Sequence, residues 1–240
     1  AAQSGTGKTA AFLLPILEEL IEQKQTNELP ILRTLILVPT RELATQIGKV
    51  IDDYAKYLDI KRLAIFGGVS SKEQEKKLSN GIDILVSTSG RLLEHIKNKN
   101  VNLSSVTTVV IDEVDTMLDM GFLEDLEKIL PNIGQNRQIM MFIATLNQNV
   151  KKLAKEFLSD PVVIEVAKQR SSVKIIDQQI VLVDEDKKAE LLSYLIGSRN
   201  YSQVLVFVNM KKEADDLVAH LNLDGLPAEC IHGDVRQTAR

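Results

Sequence analysis

The chain has 240 residues, more than one modest domain and enough for one large or two smaller ones. Its 29 Lys plus Arg against 33 Asp plus Glu leave a net charge of −4, which excludes a protein that grips nucleic acid by bulk positive charge. A 44% hydrophobic content excludes general disorder, and the lack of Trp beside only 4 Tyr and 6 Phe argues against a broad aromatic stacking platform.

The chain opens on Ala1-Ala2-Gln3-Ser4, with no Met, charged leader or apolar signal stretch, and enters a Gly-rich loop at once. An amphipathic helix follows Lys8 to about residue 25, with Leu13, Leu17, Leu20 and Ile21 on one face. Strands are expected at 34–38, 63–66, 82–86, 106–111, 138–143 and 162–166. Each is a short Val, Ile and Leu run without clean alternation, as suits strands covered on both faces. Between the first two, residues 41–58 carry Leu43, Ile47, Val50, Ile51, Tyr54 and Leu58 at helical spacing. The pattern breaks over 167–176, then restarts with strands at 179–183, 204–208 and 228–231 around helices near 187–196 and 211–221. Alternating strands and helices imply an α/β fold with a mainly parallel sheet. The expected division is a first domain at 1–167, a linker at 168–177 and part of a second domain at 178–240. The single Cys230 can form neither an internal disulfide nor a zinc cage, which fits a reducing compartment such as the cytoplasm, and it reads as a small core residue. No apolar run is long enough to span a bilayer.

Ser4-Gly5-Thr6-Gly7-Lys8-Thr9 has the core of a phosphate loop. Glycines let the backbone curl so that successive N–H groups face phosphate oxygens, and the following helix adds its positive N-terminal end. Lys8 would reach the β- and γ-phosphates and the Thr9 hydroxyl would hold Mg²⁺. The strict pattern has Gly where Ala2 stands. An acidic partner should lie at the end of a hydrophobic strand, and 106–111 runs into Asp112-Glu113-Val114-Asp115. Asp112 is placed to hold Mg²⁺, largely through water. Glu113 is placed to deprotonate a water for in-line attack on the γ-phosphorus. Apart, these are a Gly-rich turn and an acidic loop; together they mean nucleotide hydrolysis.

With these residues the chain resembles the DEAD-box ATP-dependent RNA helicases of superfamily 2. Asp112-Glu113-Val114-Asp115 is the naming motif with Val for Ala. Pro39-Thr40-Arg41-Glu42-Leu43-Ala44 matches a second signature and Gly67-Gly68 the glycine doublet, while Thr88-Ser89-Gly90-Arg91 matches Thr-Pro-Gly-Arg with Ser for Pro. Further on, Val206-Phe207-Val208-Asn209 and His232-Gly233-Asp234, with Gln237 and Arg240, look like the motifs of a second domain. Residues 115–122 and the last segment are most similar to bacterial RhlE-type members. The resemblance implies a RecA-like ATP-binding domain followed by part of another. It also implies ATP with Mg²⁺, and local separation of RNA duplexes. Pro39, Thr40, Arg41, Gly68, Thr88, Gly90 and Arg91 would hold the RNA backbone. All follow strands, hence lie on the carboxyl edge of the sheet, where open α/β folds bind ligands. Backbone amides with one Arg per loop suit phosphate contacts that do not read bases.

Two departures qualify the resemblance. The family's Ser-Ala-Thr is Ile143-Ala144-Thr145, so the hydroxyl link from 143 to Asp115 that couples ATP state to strand separation in the family is missing; a pairing of Asp115 with Thr145 is still open to the coupling set Asp115, Ala144 and Thr145. This leaves an RNA clamp with weak unwinding, or a DNA-directed phosphate-loop helicase or ATPase, as the rival readings. In addition, the strand before the phosphate loop, the family's glutamine motif and its finger arginines are not among these residues. We therefore expect a fragment of a longer enzyme that alone binds nucleotide weakly and hydrolyses little. His95 and His220 have no evident partner and are expected at the surface or between helices.

Overall fold

The computed structural model describes residues 1–2, 5–23, 30–166, 177–236 and 239. The chain divides into two compact units, 1–169 and 170–240.

The first unit is built on five parallel strands, β1 (Thr34–Val38), β2 (Arg62–Ile65), β3 (Ile84–Thr88), β4 (Thr108–Ile111) and β5 (Gln138–Met141), in the order β2-β3-β1-β4-β5. The central strand β1 is buried at every position. Its alternate side chains serve opposite cores: Leu35 and Leu37 join one cluster, Ile36 and Val38 the other. Both faces are thus apolar, which is why the strand reads as a continuous hydrophobic run.

One face is covered by α1 (Lys8–Gln23), through Phe12, Leu13, Ile16, Leu17 and Leu20, and by α2 (Arg41–Tyr54), through Ala44, Ile47 and Ile51. Phe12 meets Phe142 with ring centroids 5.1 Å apart and tilted planes, a favourable aromatic arrangement. The other face takes α3 (Ser71–Leu78), α4 (Ser89–Lys97), α5 (Val114–Asp119), α6 (Leu123–Ile129) and α7 (Gln148–Phe157), which contribute Leu78, Leu92, Met117, Leu126, Ile129 and Leu153 to its core. Helix α2 ends at Tyr54, four residues short of the expected 58.

Residues 162–166 form no strand, correcting the expectation of one. They run exposed beside the N-terminus: Ala1 N donates to Ile164 O at 2.6 Å and Val166 N donates to Ala1 O at 3.0 Å. Ala2 N in turn donates to Ile143 O at 2.9 Å. These backbone bonds hold the first two residues between the turn after β5 and residues 164–166.

In the second unit, α8 (Lys188–Ser198) and α9 (Lys211–Leu223) form as expected. The strands expected at 179–183, 204–208 and 228–231 do not. Their apolar side chains stand in solvent, with Leu182 95% and Phe207 86% exposed. A strand exists only through its ladder, and among the described residues these segments pair with no neighbour. The described residues include no helix long and apolar enough to cross a membrane.

Candidate nucleotide and RNA site

Of the Gly-rich loop, the structure describes Ala2 and then Gly5 onward to the start of α1 at Lys8. Gly5 and Gly7 have φ +78 and +86, backbone that glycine adopts without cost, and nothing lies within 4 Å of where a Cβ would stand. The loop is exposed at Gly5, Thr6 and Gly7 and half-buried at Lys8 and Thr9. Lys8 Nζ donates to Ala2 O at 2.8 Å, which folds the ammonium back over its own loop. Amides curled around an open hollow at a helix N-terminus, with a fixed ammonium beside them, have the chemistry of a polyphosphate cradle. Ser4 lies outside the described residues.

The acidic residues follow β4. Asp112 is only 3% exposed. Burial pushes its carboxyl above the usual range, while the Glu113 N–H and the Lys8 ammonium pull it back down. The Lys8 ammonium is therefore near enough for its charge to reach the Asp112 carboxyl. Glu113 N donates to Asp112 Oδ1 at 3.0 Å, and Glu113 has left-handed backbone with φ 52 and ψ 49. Strain at a non-glycine residue persists only where surrounding structure enforces it, and such positions cluster at functional sites. Here Val114 N donates to Phe142 O and Asp112 N donates to Leu37 O, pinning both flanks.

Asp115 is buried and joins α5 to the turn after β5. Its Oδ2 accepts bonds from Ala144 N at 3.1 Å, Thr145 N at 3.0 Å and Thr145 Oγ1 at 3.1 Å. Its Oδ1 is buried with no hydrogen-bond partner. Ile143 is 5% exposed and belongs to the hydrophobic core. The missing hydroxyl thus leaves the Asp115–Thr145 link intact, and one buried acceptor remains unsatisfied.

Three further loops lie at carboxyl ends of strands. After β1, Pro39 is buried and Thr40 caps α2, its Oγ1 accepting from Leu43 N at 3.2 Å. After β2, Gly68 has φ +82, and a Cβ there would collide with the Arg41 guanidinium. Arg41 thus packs close against Gly68, whose positive φ favours glycine there. After β3, Thr88, Ser89, Gly90 and Arg91 open α4. Ser89, where the family has Pro, is buried and donates to Asp125 Oδ2 at 2.7 Å, tying α4 to α6. Arg91 is turned inward, its side chain 9% exposed.

The second unit brings His232 Nε2 to 3.0 Å and Cys230 Sγ to 3.3 Å from Asp215 Oδ1 on α9. The His232 contact, with help from the thiol, holds the Asp215 carboxyl below its usual range. The bond to Asp215 together with burial pushes the Cys230 thiol up, so it stays protonated and unreactive. Lys211 Nζ lies 2.8 Å from Asp234. Asn209 and Gly233 are exposed; Gln237 and Arg240 lie outside the described residues. His220 sits 3.4 Å from Asp224 one turn along its own helix. His95 lies between helices, one of its two expected places, but it has partners. It is fully buried, within 3.3 Å of Gln74 Oε1 and 3.4 Å of Asn100 Nδ2. Sequence reasoning missed Gln74 altogether. The available signal was its pairing with Leu78 at i,i+4, the buried face of a helix otherwise dominated by Lys and Glu.

The fold is an α/β domain on a parallel sheet, with a Gly-rich loop at the start of α1 and an acidic pair after β4. Residues 1–153 match the DEAD/DEAH box helicase family, and the chain belongs to that family. It is 38% identical over 239 residues to the DEAD-box ATP-dependent RNA helicase CshA of Bacillus subtilis strain 168, covering 100% of this chain and 47% of that protein. CshA of Streptococcus pneumoniae strain R6 is 36% identical over 239 residues, covering 100% and 45%. Among solved structures, a DEAD box protein from the hyperthermophile Methanococcus jannaschii matches with TM-score 0.63 and 34% identity, over 99% of this chain and 62% of that one. The chain spans about half the length of the curated relatives it matches.

Proposed function

We propose that this chain provides the ATP-binding and RNA-contacting part of an ATP-dependent RNA helicase, which couples nucleotide hydrolysis to local separation of RNA duplexes or remodelling of RNA–protein complexes. The observation that carries this reading is the juxtaposition of Lys8, at the start of the helix after the Gly-rich loop, with the buried Asp112, whose carboxyl its charge pulls down against the effect of burial. Ser4, Gly5, Thr6, Gly7 and Lys8 would cradle the phosphates. Thr9 and Asp112 would hold Mg²⁺, whose charge would polarise the γ-phosphate. Glu113 would take the proton of the attacking water, and Lys8 would balance charge gathering on the phosphate oxygens. Asp115, tied to Ala144 and Thr145, would carry the state of that site to the turn after β5. Pro39, Thr40, Arg41, Gly68, Thr88, Gly90 and Arg91 would form the RNA edge, and Asn209, His232, Gly233 and Asp234 would serve in the second unit. The domain limits 1–167 and 178–240 with a linker between, a cytoplasmic location and an RhlE-type position in the family belong to the same reading. The last rests on residues 115–122 and the final segment.

The test is duplex separation by the whole protein with ATP and Mg²⁺, set against Glu113→Gln. ATP-dependent separation that the variant abolishes supports the reading. Equal separation by both removes Glu113 from its assigned role. The orphaned Asp115 Oδ1, with no hydroxyl at position 143, favours one alternative, a clamp that binds RNA and ATP but separates strands poorly. Full ATP turnover with RNA but no strand separation is its signature.

A further inference from the structure

Arg91 opens α4 at the RNA edge, yet every nitrogen of its guanidinium is engaged inside the protein. Its Nε lies 3.1 Å from Glu94 Oε2, Nη1 donates to Gln74 Oε1 at 3.3 Å, and Nη2 donates to Val69 O at 3.2 Å. Gln74, 6% exposed on α3, uses both ends of its amide. Its Nε2 donates to Phe66 O at 3.1 Å, at the end of the loop leading into Gly67-Gly68, and its Oε1 receives Arg91 and the His95 ring. Because Oε1 only accepts, His95 Nε2 carries the proton there, and Nδ1 is left to accept from Asn100 Nδ2. The donor directions are consistent around the whole network, so it has a single arrangement.

We propose that Gln74 is the positioning residue of the RNA edge, the amide that locks the glycine-doublet loop to the start of α4. Arg91 acts through the same brace, on the two loops instead of on a phosphate. The loop at 66–69 is held at Phe66 O by Gln74 and at Val69 O by Arg91. Gly68 between them carries the Arg41 guanidinium on its surface. The ends of β2 and β3 are thereby tied together, with the Arg41 guanidinium from the end of β1 packed beside them. Rigidity is what a backbone-reading site needs, because amides that must align to successive phosphates otherwise lose ordering entropy on binding. Gln74 is buried, and its amide is spent on Phe66 O, Arg91 and His95, so it acts on the edge through these partners.

This inference rests on the RNA reading of that edge. The experiment measures RNA affinity, nucleotide affinity, and the KM for RNA against kcat in RNA-stimulated ATP hydrolysis, for the whole protein, Gln74→Leu and Gln74→Glu. Loss of both amide links in Gln74→Leu is expected to weaken RNA binding and raise the KM for RNA about tenfold, with kcat and nucleotide affinity within about twofold. Gln74→Glu keeps the acceptor for Arg91 and His95 but loses the donor to Phe66 O. It is expected to fold whether or not the leucine variant does, and to weaken RNA binding about threefold. Unchanged RNA affinity in a folded variant overturns the inference, as does an equal loss of nucleotide affinity, which would mark a merely structural role. Failure of the unsubstituted protein to bind RNA overturns the RNA reading and this inference with it. Binding that neither variant changes overturns the inference alone.

Discussion

At the scale of single residues, the carboxylates after β4 divide their work by environment. Asp112 is buried and touched by the Lys8 charge, Glu113 is half-buried on left-handed backbone, and Asp115 faces inward onto the turn after β5. The position of these residues was legible in sequence, because a hydrophobic strand running into Asp-Glu-x-Asp puts them at the end of that strand. The consequence of Ile143 was only half legible. Sequence showed the lost hydroxyl, but not that Asp115 Oδ2 already holds three donors while Oδ1 has none. Replacing Ile143 by Ser gives up a buried apolar side chain, at a cost of about 2–3 kcal/mol. A new bond to Oδ1 would return about 1 kcal/mol. Ile143→Ser is therefore expected to lower thermal stability while raising duplex separation per ATP hydrolysed. Unchanged separation in a folded variant would deprive the departure of mechanistic weight.

At the scale of elements, β1, β3 and β4 were legible because burial on both faces writes itself as an unbroken apolar run. Helix α3 was not: Lys and Glu cover most of it, and its burial rests on Gln74 and Leu78. Only the fold reveals that the polar one of this pair faces His95. The strands expected in the second unit carry the same apolar signal as β1. Composition sets the propensity, but a ladder needs a neighbour, and their side chains remain exposed. The packing of α3 on α4 makes a prediction about pH. Burial, reinforced by Arg91, lowers the His95 pKa from 6.5, so the folded domain keeps this imidazole neutral. Once the pH falls below 6.5 the unfolded chain takes up a proton that the folded one refuses, and stability declines toward the folded-state value; above 6.5 this contribution is flat. Chemical denaturation across that range is expected to show the decline, and His95→Gln to flatten it. Identical slopes would mean that other groups carry the acid sensitivity.

At the scale of the whole molecule, a net charge of −4 and an RNA partner are compatible if affinity comes from a few loops on one sheet edge. With Arg91 turned inward, Arg41 is the guanidinium left against the glycine doublet, so few phosphates are neutralised. For three or four neutralised phosphates, the slope of log affinity for single-stranded RNA against log salt is expected to be about −2 to −3. A slope beyond about −5 would mean that a broad basic surface does the binding. The central claim is that the phosphate loop and Asp112-Glu113 form one hydrolytic site that answers to RNA. Its most direct test is the steady-state rate of ATP hydrolysis by the whole protein, with and without single-stranded RNA, for the unsubstituted form and Glu113→Gln. The account predicts clear stimulation by RNA, and a fall of about a hundredfold or more in the variant, with its fold and nucleotide affinity retained. Hydrolysis that is indifferent to RNA, or that survives Glu113→Gln, would contradict it.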